Sequence, residues 1–424
     1  MARRALEGLR VLDLTQIWAG PFCNRLLADM GAEVIKVESA KRFDNTRTYS
    51  NLPTGVPAPR PWNMRSLFNT RNRGKLGVTI DMTTDRGKQL FLKLVKVCDV
   101  VAENFSARVM KGWGMDYEVL RQHKPDIIMI SMPAFGMTGP ERDYVGQGSN
   151  LTPLSGMVAL TGYINDVPHN VGSYTDPIAG LTGAGALLAA LNYRAETGKG
   201  QYIDLAQREG AARVLGDAIM DFTMNGRVWP LMGNRHPSFA PHGCYRCKGD
   251  DMWVTIAVTN DEEWEAMCRV MGHAEWSSDP RFADALTRYQ NQDQLDKLIS
   301  GWTADKDHHD VMVSLQEAGV PAGAVLKANE MFDDPQYSAR GFFEEVTHPE
   351  AGAFPTLGVY AKLSKTPGHI ARPAPLLGEH NEYVFGGVLG LPKEEIAQLW
   401  EEGIISNDPV AAGVEDYARG RTAF

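Results

Sequence analysis

Between residues 9 and 135 short apolar runs alternate with amphipathic stretches, first LRVLDLT, FCNRLLADM and AEVIKVE and later DVVAEN and DIIMISM, each after a helical segment. Strands interleaved with helices at this spacing are the pattern of βαβ units wound around a mostly parallel sheet. One of the helices is checked by its spacing. Leu90, Leu94 and Val97 with Cys98 fall on one face, Lys88, Lys93 and Lys96 fall largely elsewhere, and Thr83, Thr84 and Asp85 offer caps at its start.

Length extends the argument from one sheet to two domains. A chain of 424 residues with 43% hydrophobic and 22% charged side chains buries large cores without staples. The α/β segment and the helices after it predict a large α/β domain over residues 1–225. From residue 226 the segment WPLMGNRHPSFAPHGCYRCKGDD reads as an irregular loop feeding a hairpin, which opens a smaller α+β domain over 226–330. Residues 331–424 read as turn-rich hairpins and a last helix, KEEIAQLWEEG, with a loosely held tail after Ile405. Residues 135–175, rich in Gly, Ser, Thr, Asn and Pro, read as loop.

Charge and cysteine usage narrow the setting. Acidic side chains number 52 against 43 basic ones, for a formal net charge of -9, and no basic run suggests a nucleic-acid partner. MARRALEGLRVLDLT has no signal-peptide core, and no stretch is long and apolar enough to span a bilayer. Five cysteines, at positions 23, 98, 244, 247 and 268, do not form a secreted disulfide framework, so a cytoplasmic protein is expected.

Several candidate sites compete. The first βαβ unit ends its second strand in Glu38, as a dinucleotide-binding unit would, but its turn TQIWAGP offers one glycine, Gly20, where a pyrophosphate fingerprint needs three. Cys244 and Cys247 with His242 suggest a metal site, but no fourth ligand is evident and none is expected to bind. Asp176 precedes Pro177 at the head of the helix DPIAGLTGAGALLAALNYR, so it reads as the N-cap with proline at the first position. A helix N-terminus also keeps an aspartate ionised, and an ionised carboxylate is a possible nucleophile. Arg235 and His236 in GNRHP, beside Asn234, are candidates for gripping a carboxylate or are ordinary loop residues. The common hydrolase, zincin and P-loop signatures are absent.

Taken in order, LRVLDLTQIWAGPFCNRLLADMGAEVIKVES, GVTIDM, DVVAENF, SMPAFGMTGP, YTDPIAGLTGAGALLAAL, TGKGQYIDLA and RPAPLLGEHNEYV resemble the class III coenzyme A-transferases over nearly the whole chain. The resemblance implies an interlocked homodimer, or a heterodimer with a related subunit, built from chains with a small domain and a Rossmann-like large domain that combines residues 1–225 with 331–424. It implies Asp176 as nucleophile, passing through an aspartyl anhydride and an aspartyl-CoA thioester to move CoA between carboxylic acids. Succinyl-CoA is the donor it suggests first, and a dicarboxylic or aromatic acid is the expected acceptor. Coenzyme A enters as substrate, not as a resident cofactor.

Carried onto this chain, the coenzyme contacts fall on Ile17, Trp18 and Ala19 around the adenine, Lys75 toward phosphates, Asn104, Phe105 and Met110 along the next turn, and Phe135. Ser39 stands where relatives often have arginine, so Lys36, Lys41, Arg42 or Arg108 is expected to compensate. On the substrate side stand Gln147, Gly233, Asn234, Arg235 and His236, in part on a GNRHPSFAPHG loop expected to close over Asp176, with His242 as a further polar group and Trp229, Phe239 and Tyr245 as possible apolar lining. Three alternatives remain. An acyl-CoA racemase of the same superfamily needs a titratable group where this chain has Gln147, though Asp261 lies near another racemase carboxylate. The others are a non-catalytic subunit of a heterodimer and a nicotinamide-dependent oxidoreductase.

Overall fold

The computed structural model describes residues 3–410. Among these, the first compact unit gathers residues 3–157, 170–226 and 339–410. The second comprises 158–169 and 227–338. The second unit therefore takes in a short segment, 158–169, that lies far upstream of the expected boundary, and the chain returns to the first unit at 339, not 331. A backbone bond from the Gly233 N–H to the Gly162 carbonyl, 2.8 Å, is part of what ties that segment in.

In the first unit, strands β1 (Arg10–Asp13), β2 (Glu33–Glu38), β3 (Leu76–Thr79), β4 (Val100–Glu103), β5 (Ile128–Ser131) and β6 (Tyr202–Asp204) form one sheet in the order β3-β2-β1-β4-β5-β6. Every neighbouring pair is parallel; Leu12, for instance, pairs with both Ile35 and Val101. Alternate residues of each strand enter opposite cores. Leu12, Ile35, Val78 and Val101 face helix α3 (Asp85–Val97) together with Val384, Phe385, Ile396 and Leu399 from the C-terminal part. Val11, Val34, Val100 and Ile130 face helices α1 (Ala19–Asp29) and α7 (Thr175–Thr197). Between α1 and α3 lies α2 (Ser66–Asn72), and between β4 and α7 lie α4 (Arg108–Trp113), α5 (Tyr117–His123) and α6 (Gly148–Leu154).

Helix α3 starts as expected, with Thr84 accepting from the Gly87 N–H. Its buried stripe is Leu90, Phe91, Leu94 and Val95, while Val97 points outward. The stretch 135–175 is not all loop, because α6 lies inside it and returns through a 3-10 turn at Val158–Leu160. Residues just past Ile405 are tied down as well: the Ser406 N–H donates to the Thr79 hydroxyl at 2.8 Å, and the Val410 N–H to the Ala40 carbonyl. The rest of the expected tail, 411–424, lies outside the described residues.

The second unit is built on an antiparallel sheet of β7 (His242–Arg246), β8 (Trp253–Ala257) and β9 (Ala322–Ala324). Its core joins Val254 and Ile256 to Trp264, Met267, Phe282, Leu295 and Leu315 from the surrounding helices. A last hairpin, β10 (Phe343–His348) and β11 (Gly352–Leu357), belongs to the first unit. Among the described residues no helix is long and apolar enough to cross a membrane.

Beneath the C-terminal ends of β1 and β2 runs a set of buried ion pairs: Asp13 with Lys75 at 2.8 Å, Asp44 with Lys36 at 3.1 Å and Glu38 with Arg47 at 2.8 Å. Burial opposes every one of these charges, yet Lys75 and Lys36 together hold the Asp13 carboxyl below its usual range. Removing one member strands the other without water. Asp13→Ala is therefore expected to cost about 3–5 kcal/mol in denaturant titration and to speed amide exchange through Thr15–Trp18. A loss under about 1 kcal/mol would mean the Lys75 charge is accommodated without Asp13.

Candidate active site

The sheet order reverses between β1 and β4, and in open α/β sheets the crevice at that switch is where ligands bind. The turn between β1 and α1 lies there without the usual glycines, so side chains hold it. Asp13 accepts from the Thr15 N–H, the Lys36 ammonium donates to the Thr15 carbonyl, and Asn104 both accepts from and donates to the Gln16 backbone at 2.8 Å. Asp44 accepts from the Ile17 N–H, and Arg71 donates to the Ile17 carbonyl at 3.1 Å. Ile17 takes φ 69°, a left-handed conformation rare for a β-branched residue and costing on the order of 1–3 kcal/mol. Gly20 completes the turn, because a Cβ there would stand 2.3 Å from the Thr15 side chain.

Helix α7 brings Asp176 to this turn. Its face of small residues lets it approach α1 closely: a Cβ on Gly180 would meet the Ala19 carbonyl at 2.8 Å, and one on Gly183 the Met132 sulfur at 3.0 Å. The helix begins at Thr175, so Tyr174 is the cap and Pro177 is the third residue, not the first. Asp176 is not the cap residue of its helix. Its carboxylate accepts from the Ala19 N–H at the head of α1 as well as from its own N–H. On its other side Gly148, the first residue of α6, lies so close that a Cβ would meet Asp176 Oδ2 at 2.0 Å. The side chain is 8% exposed. Burial pushes its pKa up to about 6, against the Ala19 hydrogen bond and the Arg71 charge, which favour the ionised form.

Arg71 and Tyr49 were not among the residues expected here. Arg71 stacks its guanidinium 4.2 Å from the centre of the Trp18 ring and hydrogen-bonds Tyr49, and its charge acts on Asp176. Neither residue lies in a motif; only their convergence on the turn in three dimensions marks them. Gly148, next to the expected Gln147, is likewise identified by its contact. Gln147 itself is exposed, and its N–H donates to the Asn150 side chain at 2.7 Å.

The other expected coenzyme residues divide. Ile17, Trp18, Ala19 and Asn104 are all in the turn just described. Phe105 packs edge-on to Trp113, and Phe135 lies edge-on to Tyr144. Met110 lines a cavity of about 400 Å³ with Arg108, Lys111, Met137 and Arg142. Lys75 does not fit its expected role. Its ammonium is wholly buried and bound to Asp13, the Pro21 carbonyl and Asn72 Oδ1, so it has nothing left for a phosphate. Lys36 is buried on Asp44 in the same way, and Lys41 is paired with Asp81.

In the second unit Arg235 donates through one guanidinium nitrogen to Asp293 and to Asp296, the latter at 2.9 Å, so its charge is already paired with two protein carboxylates. His236 stacks on Phe239 at 4.3 Å, and His242 Nδ1 lies 2.6 Å from the Asn234 carbonyl; Gly233, Asn234, Arg235 and His242 line a groove that His236 does not join. Tyr245 is a core residue bonded to Asp296 rather than pocket lining. Cys244 and Cys247 are free thiols and join no metal-holding cluster among the described residues. Asp261 is paired with the buried Arg288 at 2.7 Å, which removes it as a free acid or base.

Comparison with known proteins adds to this geometry. The profile of CoA-transferase family III matches residues 6–381. A succinyl-CoA–D-citramalate CoA-transferase of Chloroflexus aurantiacus is 35% identical over 404 residues, 95% of this chain and 98% of that protein. A succinate–glutarate CoA-transferase of Agrobacterium fabrum is 33% identical over 89% of this chain and 94% of its own. The crystal structure of a CaiB/BaiF family protein from Brucella suis superimposes with a TM-score of 0.82 at 32% identity, covering 91% of this chain and all of that one.

The raised pKa of Asp176 has a consequence for stability. The folded state holds the Asp176 proton more tightly than the unfolded chain, so the stabilisation from that proton is full at acid pH and is lost as pH rises through about 6. Asp176→Asn keeps the shape and an acceptor oxygen for Ala19 without the charge. It is expected to be more stable than the native protein at pH 8, by at most about 3 kcal/mol, with the advantage gone near pH 4. Melting curves at the two pH values test this, and an equal offset at both would contradict it.

Proposed function

The chain belongs to CoA-transferase family III and is an enzyme of the CoA-transferase type; from that premise we propose that Asp176 is its nucleophile and that CoA passes between two carboxylic acids through this side chain. The observation that carries the reading is the Asp176 carboxylate itself, desolvated, facing the switch-point turn and bonded to the Ala19 N–H.

In this reading an Asp176 oxygen attacks the thioester carbonyl of the donor, the C–S bond breaks, and a mixed anhydride and CoA thiolate result. The thiolate attacks the Asp176 carboxyl carbon and expels the donor acid, leaving an aspartyl-CoA thioester. The acceptor carboxylate attacks that thioester and releases the thiolate again, which then takes the acceptor acyl group from the new anhydride and frees Asp176. No net proton is exchanged, so no acid-base partner is required. The Ala19 N–H is placed to stabilise the oxyanion as the Asp176 carboxyl carbon becomes tetrahedral.

Asn104, Ile17, Trp18 and Phe105 line the coenzyme's path, and the cavity at Met110, rather than the Ile17–Ala19 turn where the resemblance puts the adenine, takes its nucleotide end. Arg108 and Lys111 supply the phosphate-facing charge that Lys75 and Lys36 cannot, while Arg142 is paired with Asp143 at 3.3 Å. Succinyl-CoA is the donor, by analogy with the two transferases described above, and the acceptor is a dicarboxylic or aromatic acid. The racemase alternative loses support: Gln147 does not titrate, and Asp261 is committed to Arg288.

The functional form is a dimer of this chain. Helix α9 (Gly216–Asn225), which follows α8 (Gln207–Ala212), has no buried residue and exposes Phe222 at 55% and Met224 at 72%, while α7 exposes Leu181 and Leu188. Apolar side chains in that density are what a partner surface covers. Phe222→Glu is expected to shift the species seen by light scattering from dimer to monomer; a native protein that runs as a monomer would refute the assignment.

Incubation with succinyl-CoA followed by hydroxylamine is expected to modify the peptide carrying Asp176, as read by mass spectrometry. In Asp176→Ala the label disappears and turnover falls on the order of 10⁴-fold or more. Because the attacking form is the carboxylate, kcat/KM for the donor falls as pH drops through about 6. Transfer at the native rate by Asp176→Ala, or solvent deuterium entering the α-carbon with no label on Asp176, would sink the proposal.

A further inference from the structure

The buried arginines differ in what they hold. Arg47, Arg73 and Arg288 each pair with a protein carboxylate, Glu38, Asp29 and Asp261 respectively. Arg25 and Arg65 donate to the backbone carbonyls of Thr70 and Ser50. Arg71 is 8% exposed and stands at the active site, and among the described residues no carboxylate lies within ion-pair distance of it. It donates to the Ile17 carbonyl, stacks on Trp18 and hydrogen-bonds Tyr49, contacts that fix the plane of the guanidinium without neutralising it.

Its nearest anionic influences are Asp44 and Asp176. Asp44 is already committed, accepting from the Lys36 ammonium, the Ile17 N–H and the Thr46 N–H. Asp176 is close enough for the two charges to act on each other, but no ion pair closes between them. A desolvated cation held flat by a carbonyl and an aromatic ring, with donors to spare beside a nucleophile, is a ready anion site. The anion it suits is planar and bidentate, which is a carboxylate. Arg235, the arginine that sequence alone offers for this task, is already ion-paired with Asp293 and Asp296.

We propose that Arg71, with the Tyr49 hydroxyl beside it, grips the non-reacting carboxylate of a dicarboxylic acid or of its CoA thioester while the other end reacts at Asp176. The assignment rests on the transferase reading above and narrows its substrates to dicarboxylic acids, setting aside aromatic monoacids. Arg71 reads the far charge and takes no part in bond making, so its removal changes the choice between substrates. The distal carboxylate is matched by a charge whose desolvation is already part of the fold, and a neutral end group gains nothing from it.

The test compares glutarate with its monoamide, which has the same length and shape but lacks the second charge, as acceptors from succinyl-CoA. In the native enzyme glutarate is preferred, and in Arg71→Gln the ratio of the two kcat/KM values falls on the order of 10- to 100-fold. Arg71→Lys, which keeps charge but loses the fork, retains part of the preference, and Tyr49→Phe loses a smaller part. If Arg71→Gln fails to fold by circular dichroism, Arg71→Lys and Tyr49→Phe decide by the same ratio. An unchanged ratio in these variants, or an equal loss on both acceptors, overturns the proposal. Failure of the transferase reading itself would look different: the native enzyme would carry no label on Asp176 and transfer CoA to neither acid.

Discussion

Asp13 and Lys75 meet at 2.8 Å with both side chains out of contact with water, and the geometry of the whole crevice follows from that pair. Asp13 ends β1, and the same carboxylate accepts from Thr15. Lys75 precedes β3 and bonds the Pro21 carbonyl in α1, so one ammonium ties the end of β1 and the start of α1 to the entry of β3, two strands away. Lys36 repeats the device one strand over, reaching both Asp44 and the Thr15 carbonyl. Buried ion pairs are poor sources of net stability but costly to break singly, and their value here is register: they make one position of the turn far better than any other. Dinucleotide-binding folds shape the same turn with three glycines, whereas this chain keeps one, Gly20, and accepts strain at Ile17 that the surrounding hydrogen bonds offset.

That rigid turn defines the surroundings of Asp176. The small-residue face of α7 lets the helix lie against α1 so that the carboxylate reaches the Ala19 N–H, and Gly148 leaves no room on its far side. Two opposing influences act on the same group. Burial disfavours the charge, while the helix-end N–H and the Arg71 guanidinium favour it, and burial wins by enough to bring the pKa to about 6. A carboxylate poised there is still mostly ionised at neutral pH and is more basic than one in water, which suits a group asked to attack a carbonyl and later to leave it.

How much of this was legible in the sequence depends on distance along the chain. The βαβ alternation, the helix bearing Asp176 and the order of the family's segments are local signals, and each corresponds to an element within a few residues. The N-cap assignment missed by two residues, because Asp-Pro at a helix start reads alike whether the aspartate caps the helix or sits inside its first turn. Lys75 and Lys36 look like phosphate ligands because lysines on a nucleotide-type fold usually face solvent, and nothing local reveals that Asp13 and Asp44 are buried against them. Arg71 and Tyr49 carry no motif, and they converge with Asp176 only because α2 and the 44–50 segment fold back over the β1–α1 turn. Helix α6 was hidden inside a run of Gly, Ser and Pro, since Gly148 is there for its lack of a side chain and Pro153 for its fixed backbone.

The charge balance of the proposed cycle links Asp176 to Arg71 more closely than a static picture suggests. In the resting enzyme the two form a dispersed pair, with Arg71 favouring the ionised nucleophile. Once Asp176 becomes an anhydride or a thioester its negative charge is gone, and Arg71 stands in a desolvated site without that counterweight. A free cation there is expensive, and an incoming carboxylate relieves the cost. The affinity of the site for the acceptor therefore rises at the stage when an acceptor is needed and falls when the carboxylate of Asp176 is restored. On this argument the enzyme needs no moving part to order its substrates, because acylation of the nucleophile changes the electrostatic state of the site by one full charge.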